Sequence, residues 1–114
     1  MTPIVFFDIA GPDDKTLRDF YRNVFSWDIS AQSKVHVTAE SPLEGAIRRD
    51  PAEMRLYLGV DDVATVLEAV TANGGSIDAD RFEVPGVVVL GLFRDPAGNP
   101  MGLVEMQDGA PKIP

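Results

Sequence analysis

Two charged side chains, Asp8 and Arg55, interrupt apolar segments that have the composition of strands. Side chains alternate between the two faces of a strand, so Asp8 shares a face with Phe6, and Arg55 shares one with Tyr57. A carboxylate, a guanidinium and two aromatic rings facing a cleft would suit a small, partly aromatic, polar or anionic ligand, with Arg55 giving a bidentate grip. Asp8 and Arg55 would alternatively pair with each other and fill a closed interior. The sequence leaves both interpretations open.

Proton transfer is the chemistry that these residues would support in an enzyme. Asp8, beside the apolar ring of Phe6, would act as a general base and Tyr57 as a proton donor. The sequence has no Ser-His-Asp order, no phosphate-binding loop and no Glu-x-x-His pair, so motifs for nucleophilic, nucleotide and helix-borne metal chemistry are missing. A lyase or isomerase that uses Asp8, Tyr57 and Arg55 is therefore the alternative to a protein that only binds its ligand.

Metal-binding side chains are scarce, because the chain has one histidine and no cysteine. Zinc, iron and manganese centres need at least three donors from His, Cys or carboxylate side chains. His36 alternates with its neighbours along a predicted strand and shares a face with Lys34, Thr38 and Glu40, so it would face either a ligand or water. We predict no metal site and no other cofactor.

The 114 residues are expected to form a single domain, 1–114. The net charge of −8, with Arg48-Arg49 as the only adjacent basic pair, disfavours nucleic acid and anionic membranes as partners. That pair is interpreted as a solvated strand end. The longest apolar run, Val84–Phe93, is too short to span a membrane, and no signal peptide is visible, so a cytoplasmic location is expected.

Two segments have helical periodicity, and their capping residues, Asp13 and Asp62, are 49 positions apart. The apolar stripe of the first helix comprises Leu17, Phe20, Tyr21 and Val24; that of the second comprises Val63, Val66, Leu67 and Val70. Asn73-Gly74-Gly75 predicts a left-handed stop for the second helix. Tyr21, Phe25 and Trp27 lie on or next to the first stripe and are expected in the core.

A short strand precedes each helix, and three strand-like segments follow it. The segments are 4–9, 26–31, 35–39 and 45–49 in the first half, and 55–60, 76–80, 87–93 and 101–106 in the second. Both halves therefore read βαβββ, with the first at about 1–49 and the second at about 54–107. The tail, 108–114, is expected to be frayed or packed on a neighbour. Each helix should cover one face of the sheet and leave the other faces to form a cleft.

A series of short motifs follows along nearly the whole chain: Phe7-Asp8-Ile9, Asp13, Phe20-Tyr21, Val24-Phe25-Ser26-Trp27, Gly59-Val60-Asp61-Asp62-Val63, Gly74-Gly75, Glu83-Val84-Pro85-Gly86, Asp95-Pro96-Ala97-Gly98-Asn99 and Leu103-Val104-Glu105. In this order, they resemble the pattern of the vicinal oxygen chelate superfamily of glyoxalases, bleomycin-resistance proteins and extradiol dioxygenases. The resemblance implies an α+β fold, in which two βαβββ repeats form a curved sheet with a central cleft, and a homodimer. One departure is Ser26, where the family usually has glycine.

The resemblance also implies a divalent metal held by His and Glu side chains from the first and last strands of each half. Aligned on the helix caps, three of these positions fall on Phe6, Arg55 and Gly102, and the fourth falls near 45–47; none of these residues is a metal ligand. The chain therefore resembles the metal-free branch, in which the cleft binds a molecule or carries out proton chemistry without an ion, and we expect it to bind a small organic molecule. An enzyme, an unconventional metal or an interaction module with a filled cleft remain alternatives. The predicted ligand-binding residues are Phe6, Asp8, His36, Arg55, Tyr57 and Gly102.

Overall fold

The computed structural model describes residues 2–30, 34–36 and 43–114. The two helices are α1 (Asp14–Phe25) and α2 (Val63–Ala72). The strands are β1 (Ile4–Gly11), β2 (Asp28–Ile29), β3 (Lys34–His36), β4 (Glu44–Arg49), β5 (Glu53–Val60), β6 (Ser76–Val84), β7 (Val88–Arg94), β8 (Pro100–Gln107) and β9 (Ala110–Pro111). The order strand, helix and three strands thus occurs twice, as predicted. Contacts divide the chain into a first unit, Phe6–Arg55, and a second unit, Met1–Val5 with Leu56–Pro114.

The strands of the first unit are ordered β2-β3-β4-β1. β1 runs parallel to β4, with Phe7 opposite Gly45, and β3 is antiparallel to both β4 and β2. The core of this unit contains Phe7 and Ile9 of β1 together with Val35 of β3 and Ile47 of β4. Side chains of α1 and of the segment after it cover this core: Leu17, Tyr21 and Trp27. β2 is shorter than the predicted strand, and the predicted segment 37–39 lies outside the described residues.

The second unit repeats this pairing, with strands ordered β5-β8-β7-β6 and β9 added to β8. β5 is parallel to β8, while β7 is antiparallel to both β8 and β6. β6 continues to Val84, beyond the predicted end at 80. The prediction stops early because two register shifts interrupt the alternation of side chains, so the strand does not follow a period-two pattern. α2 packs Val63 and Leu67 against Val60, Phe93 and Leu103. No helix in the described ranges is long and apolar enough to cross a membrane.

The C-terminal tail is hydrogen-bonded to other residues of the second unit, so of the two predicted states, frayed or packed on a neighbour, the frayed one is wrong. Residues of β9 pair with Met106 and Gln107, the backbone N–H of Lys112 donates to the carbonyl of Glu105 at 2.9 Å, and Gly86 N–H donates to the carbonyl of Pro114. Two prolines suggested a free tail, but both fit an edge strand or its end, where few backbone N–H groups are required.

The far end of α1 is more exposed than its apolar stripe predicts. Phe20, Val24 and Phe25 are 51%, 57% and 56% exposed, so the expectation that Phe25 belongs to the core is wrong. Tyr21 stacks on Trp27, with ring centroids 4.8 Å apart, and both are half-buried. Periodicity identifies the apolar face of a helix but does not indicate how much sheet is available to cover it.

Both predicted N-caps are present: Asp13 accepts a hydrogen bond from Thr16 N–H, and Asp62 accepts one from Thr65 N–H. The two C-termini differ. Ser26, after α1, has a left-handed backbone with φ of 58°, whereas Asn73, after α2, has φ of −109° and is followed by left-handed Gly74. The serine that departs from the family pattern therefore occupies a conformation that favours glycine.

Replacing Ser26 with glycine is expected to stabilise the protein by about 1 kcal/mol, because glycine adopts the left-handed region without a steric cost. Urea denaturation followed by circular dichroism measures this change. Asn73→Gly is the matched control and should lower stability, because Asn73 is not left-handed and its side chain donates to the carbonyl of Ala69 at 2.8 Å. A Ser26→Gly variant no more stable than the parent would contradict the prediction.

Candidate functional site

A group of charged side chains, which we call the charged network, lies on the sheet of the first unit. Its members are Asp8, Arg48, Asp50, Glu53 and Arg55. Phe7 and Ile9 point to the core that packs on α1, so Asp8 must point to the opposite face of β1. Asp8 and Arg55 are each only 5% exposed, which is unusual for charged residues.

The guanidinium of Arg48 contacts three carboxylates. Its Nε donates to Oδ2 of Asp8 at 3.2 Å, its Nη1 to Oδ2 of Asp50 at 2.6 Å, and its Nη2 to Oε1 of Glu53 at 2.5 Å. The same Oε1 of Glu53 accepts from Nη2 of Arg55 at 3.4 Å. Asp8 and Arg55 therefore belong to one network, joined through Arg48 and Glu53.

The pKa values of Arg48 and Glu53 reflect this pairing. Burial by itself would lower the pKa of Arg48, but the charge of Asp8 and hydrogen bonds to Glu53 and Asp8 outweigh it and raise that pKa. Burial would raise the pKa of Glu53, but the hydrogen bond from Arg48 and the charge of Arg55 lower it overall. Arg48 and Glu53 are consequently ionised at neutral pH.

Arg48 is the residue that sequence reasoning placed wrongly. The sequence predicts a solvated strand end at Arg48-Arg49, but the side chain of Arg48 is only one-third exposed and pairs with buried Asp8. The relevant signal is the parallel register of β1 and β4, which sets Ala46 opposite Asp8 and puts Arg48 on the same face two residues later. That register depends on tertiary structure and cannot be derived from the strand pattern.

Tyr57 and Gly102 face each other in the second unit. They are opposite residues on the parallel strands β5 and β8, and Tyr57 is only 6% exposed. A Cβ atom added to Gly102 would lie 2.3 Å from Cδ2 of the Tyr57 ring, closer than any real contact. Gly102 therefore provides the space that this ring occupies.

The remaining predicted site residues, Phe6 and His36, lie in the first unit. Phe6 is half-buried, and alternation places it on the same face of β1 as Asp8. His36 is exposed at the end of β3, opposite Asp28 on one side and Glu44 on the other. Both stay predictions as ligand contacts.

A second buried carboxylate, Glu105, lies on the helix-facing side of β8 in the second unit. Its Oε1 accepts from the backbone N–H of Val63, the first residue of α2, at 3.1 Å. Arg81 donates to both carboxylate oxygens at 3.1 and 2.8 Å, and Lys112 lies 3.6 Å away. The hydrogen bonds from Arg81 lower the pKa of Glu105 to about 2, and this effect outweighs burial, which alone would raise that pKa. Sequence reasoning recorded Glu105 only as part of a motif.

The residues at the family's expected ligand positions do not fit a divalent metal. Phe6 and Gly102 have no donor atom, and Arg55 carries a positive charge. In the second unit the expected ligand position Gly102 is opposite Tyr57. The equivalent residue of the first unit, Asp8, is opposite Ala46, so Ala46 takes the fourth position, and alanine has no donor atom either. Among the residues that the structure describes, no three His, Asp or Glu side chains come together to hold a metal ion.

Comparison with known proteins agrees with the fold. Residues 4–104 match the model of the glyoxalase-like domain, which covers most of the chain. The chain belongs to this family, and its α+β architecture of two βαβββ repeats is the glyoxalase-like fold.

Several known proteins are similar to this chain in sequence or in fold. The anthracycline biosynthesis protein DnrV of Streptomyces peucetius is 25% identical over 82% of this chain, and the chain spans 43% of its length. A glyoxalase/bleomycin resistance protein/dioxygenase superfamily member from Vibrio splendidus 12B01 has a TM-score of 0.64 at 12% identity, covering 93% of this chain and 100% of that one. Streptomyces coelicolor methylmalonyl-CoA epimerase (S115T), in complex with 2-nitronate-propionyl-CoA, has a TM-score of 0.65 at 13% identity, covering 98% and 99%.

Proposed function

We propose that this protein binds a small polar or anionic organic molecule on the sheet face that carries the charged network, without a metal. The observation that carries the proposal is the burial of Asp8 and Arg55 beside the partly exposed Arg48 and Glu53. Burying charges costs free energy even when they are paired, and an apolar replacement is often more stable. Their presence on the face away from α1 therefore favours recognition of a ligand over a purely structural role.

The relatives support this class of ligand. The S. coelicolor epimerase was solved with 2-nitronate-propionyl-CoA, and DnrV is named for anthracycline biosynthesis. Both proteins are thus associated by name with small organic molecules. The residues proposed to contact the ligand are those predicted from the sequence: Phe6, Asp8, His36, Arg55, Tyr57 and Gly102.

Arg55→Gln tests the binding site directly. A thermal-shift screen of a small metabolite set should identify ligands that raise the melting temperature of the parent protein, and we expect Arg55→Gln to weaken their binding roughly tenfold or more. Arg94→Gln is the matched control, because Arg94 pairs with Asp78 on the second unit and is 40% exposed. Equal binding by Arg55→Gln and the parent would exclude this site.

The metal content of the protein tests whether ligand binding is independent of a metal. Mass spectrometry of the purified, untagged protein gives its metal content, and the same thermal-shift assay with divalent ions gives its affinity for added metal. Stabilisation by an organic molecule without bound metal supports the proposal. A stoichiometric metal would instead indicate a chelate enzyme with an unconventional ligand set.

A second candidate is an enzyme of lyase or isomerase type, and the fold likeness to an epimerase favours it. Asp8 would be the general base, Tyr57 the proton donor and Arg55 the group that holds the substrate. Asp8→Asn should then abolish turnover of the bound molecule while leaving its affinity nearly unchanged. Loss of affinity with no measurable turnover in the parent would favour binding alone.

We also propose that the protein is a homodimer located in the cytoplasm. The exposed apolar side chains at the end of α1, Phe20, Val24 and Phe25, form a surface suited to a second copy. DnrV is more than twice as long as the part that this chain matches, so a second copy would supply a comparable amount of protein. Light scattering after size exclusion gives the mass in solution, and cell fractionation gives the location.

A further inference from the structure

The carboxylate of Glu53 lies between two guanidinium groups of the charged network. Its Oε1 accepts hydrogen bonds from Nη2 of Arg48 at 2.5 Å and from Nη2 of Arg55 at 3.4 Å. The side chain of Glu53 is 30% exposed, whereas that of Arg55 is 5% exposed. Glu53 is therefore the accessible partner, and a buried arginine holds it in place.

The position of Glu53 in the chain allows its side chain to move without disturbing the sheet. Glu53 is the first residue of β5, directly after the exposed residues 50–52 that follow β4. Arg48 keeps its contacts with Asp8 and Asp50 when Glu53 moves away. If another carboxylate enters as Glu53 leaves, the charge pairing of both arginines is preserved, so the exchange avoids the cost of an unpaired buried charge.

We propose that the carboxylate of a small organic anion binds in place of the Glu53 carboxylate, between Arg48 and Arg55, and that Glu53 fills this position when no ligand is bound. Planar guanidinium groups recognise the two oxygens of a carboxylate with defined geometry, which selects carboxylates over neutral molecules. This inference rests on the proposed function and narrows its ligand class to organic carboxylates. It also assigns Glu53 a role as an internal competitor that sets the affinity.

Glu53→Gln tests the proposal, because it removes the competing charge and keeps the size of the side chain. Benzoate is the probe, since it has one carboxylate and an aromatic ring, and benzamide is its neutral counterpart. We expect Glu53→Gln to bind benzoate roughly tenfold more tightly than the parent in an NMR titration at low ionic strength, with no gain for benzamide. Glu53→Ala should show the same direction and serves as a second variant if glutamine disturbs folding.

Asp78→Asn is the matched control. It removes the same charge from a side chain of similar exposure, but Asp78 pairs with Arg94 in the second unit, outside the charged network. We expect its affinity for benzoate to change less than about twofold. An equal gain in Asp78→Asn and Glu53→Gln would overturn the proposal, because net charge would then explain both.

Unchanged benzoate affinity in both folded Glu53 variants would also overturn it. A further outcome separates this inference from the proposed function. If neutral molecules bind the parent, if Arg55→Gln weakens their binding, and if neither the parent nor any variant binds benzoate, then the carboxylate inference fails and the proposed function stands. If Arg55→Gln alters the binding of no molecule, both fail. Thermal denaturation of each variant shows that it is folded.

Discussion

Glu105→Gln is expected to destabilise the protein by about 2 to 3 kcal/mol at neutral pH. The buried carboxylate receives two hydrogen bonds from Arg81 and one from the first N–H of α2, and charged hydrogen bonds of this kind are the strong ones. Glutamine keeps an acceptor for Val63 but loses the charge that holds Arg81. Urea denaturation at pH 7 measures the loss.

The same carboxylate predicts how stability depends on pH. The pKa of Glu105 is lowered to about 2 in the folded protein from an ordinary value of 4.5. Its stabilising contribution is therefore fully present above about pH 4.5 and is lost as the pH falls towards 2. The difference in stability between the parent and Glu105→Gln should shrink over this range.

Glu83→Gln is the control for Glu105. Glu83 also contacts Arg81, at 3.5 Å, but its side chain is 50% exposed. Exposed ion pairs contribute little, so this variant should lose less than about 1 kcal/mol. Equal losses in the two variants would show that burial of Glu105 does not matter.

Gly102→Ala is expected to have an effect of similar size, about 1 to 3 kcal/mol of destabilisation. The added methyl group would lie 2.3 Å from a carbon of the buried Tyr57 ring, so the ring or strand β8 must shift. Chemical denaturation gives the stability, and the tyrosine NMR signals report movement of the ring.

A double-mutant cycle separates this clash from other effects of alanine in a strand. With Tyr57→Ala in the background, the methyl group no longer meets a ring, so Gly102→Ala should cost little. If the cost is the same with and without the ring, the contact with Tyr57 is not the cause. Gly45→Ala, which would place a methyl group 2.3 Å from the Phe7 ring, should repeat the result in the first unit.

The features predictable from the sequence are those set by short-range physics. Asp13 and Asp62 each cap a helix by accepting a hydrogen bond from a threonine N–H three residues later, so the pattern is complete within four residues. The repetition of this cap at a fixed spacing, together with strand alternation, was enough to predict two βαβββ halves. The family match confirms the glyoxalase-like fold.

The candidate site was predictable only in part, because its contacts are long-range. Alternation correctly separated Asp8 from Phe7 and Ile9, which pack in the core. Its pairing with Arg48 depends on the register between strands 40 residues apart in the sequence, which no local pattern specifies. Glu53 was missed for the same reason, since its importance comes from the two arginines that share its oxygen.

The parallel strand pairs within each repeat have a consequence for the rate of folding. β1 pairs with β4, and β5 pairs with β8, so each pairing must wait until a helix and two intervening strands have closed a long loop. The antiparallel pairs β3–β4 and β6–β7 are local and can form early, whereas contacts such as Tyr57 with Gly102 form late. Each unit should therefore fold by forming its antiparallel strands first, β2-β3-β4 or β6-β7-β8, with the parallel strand β1 or β5 joining last.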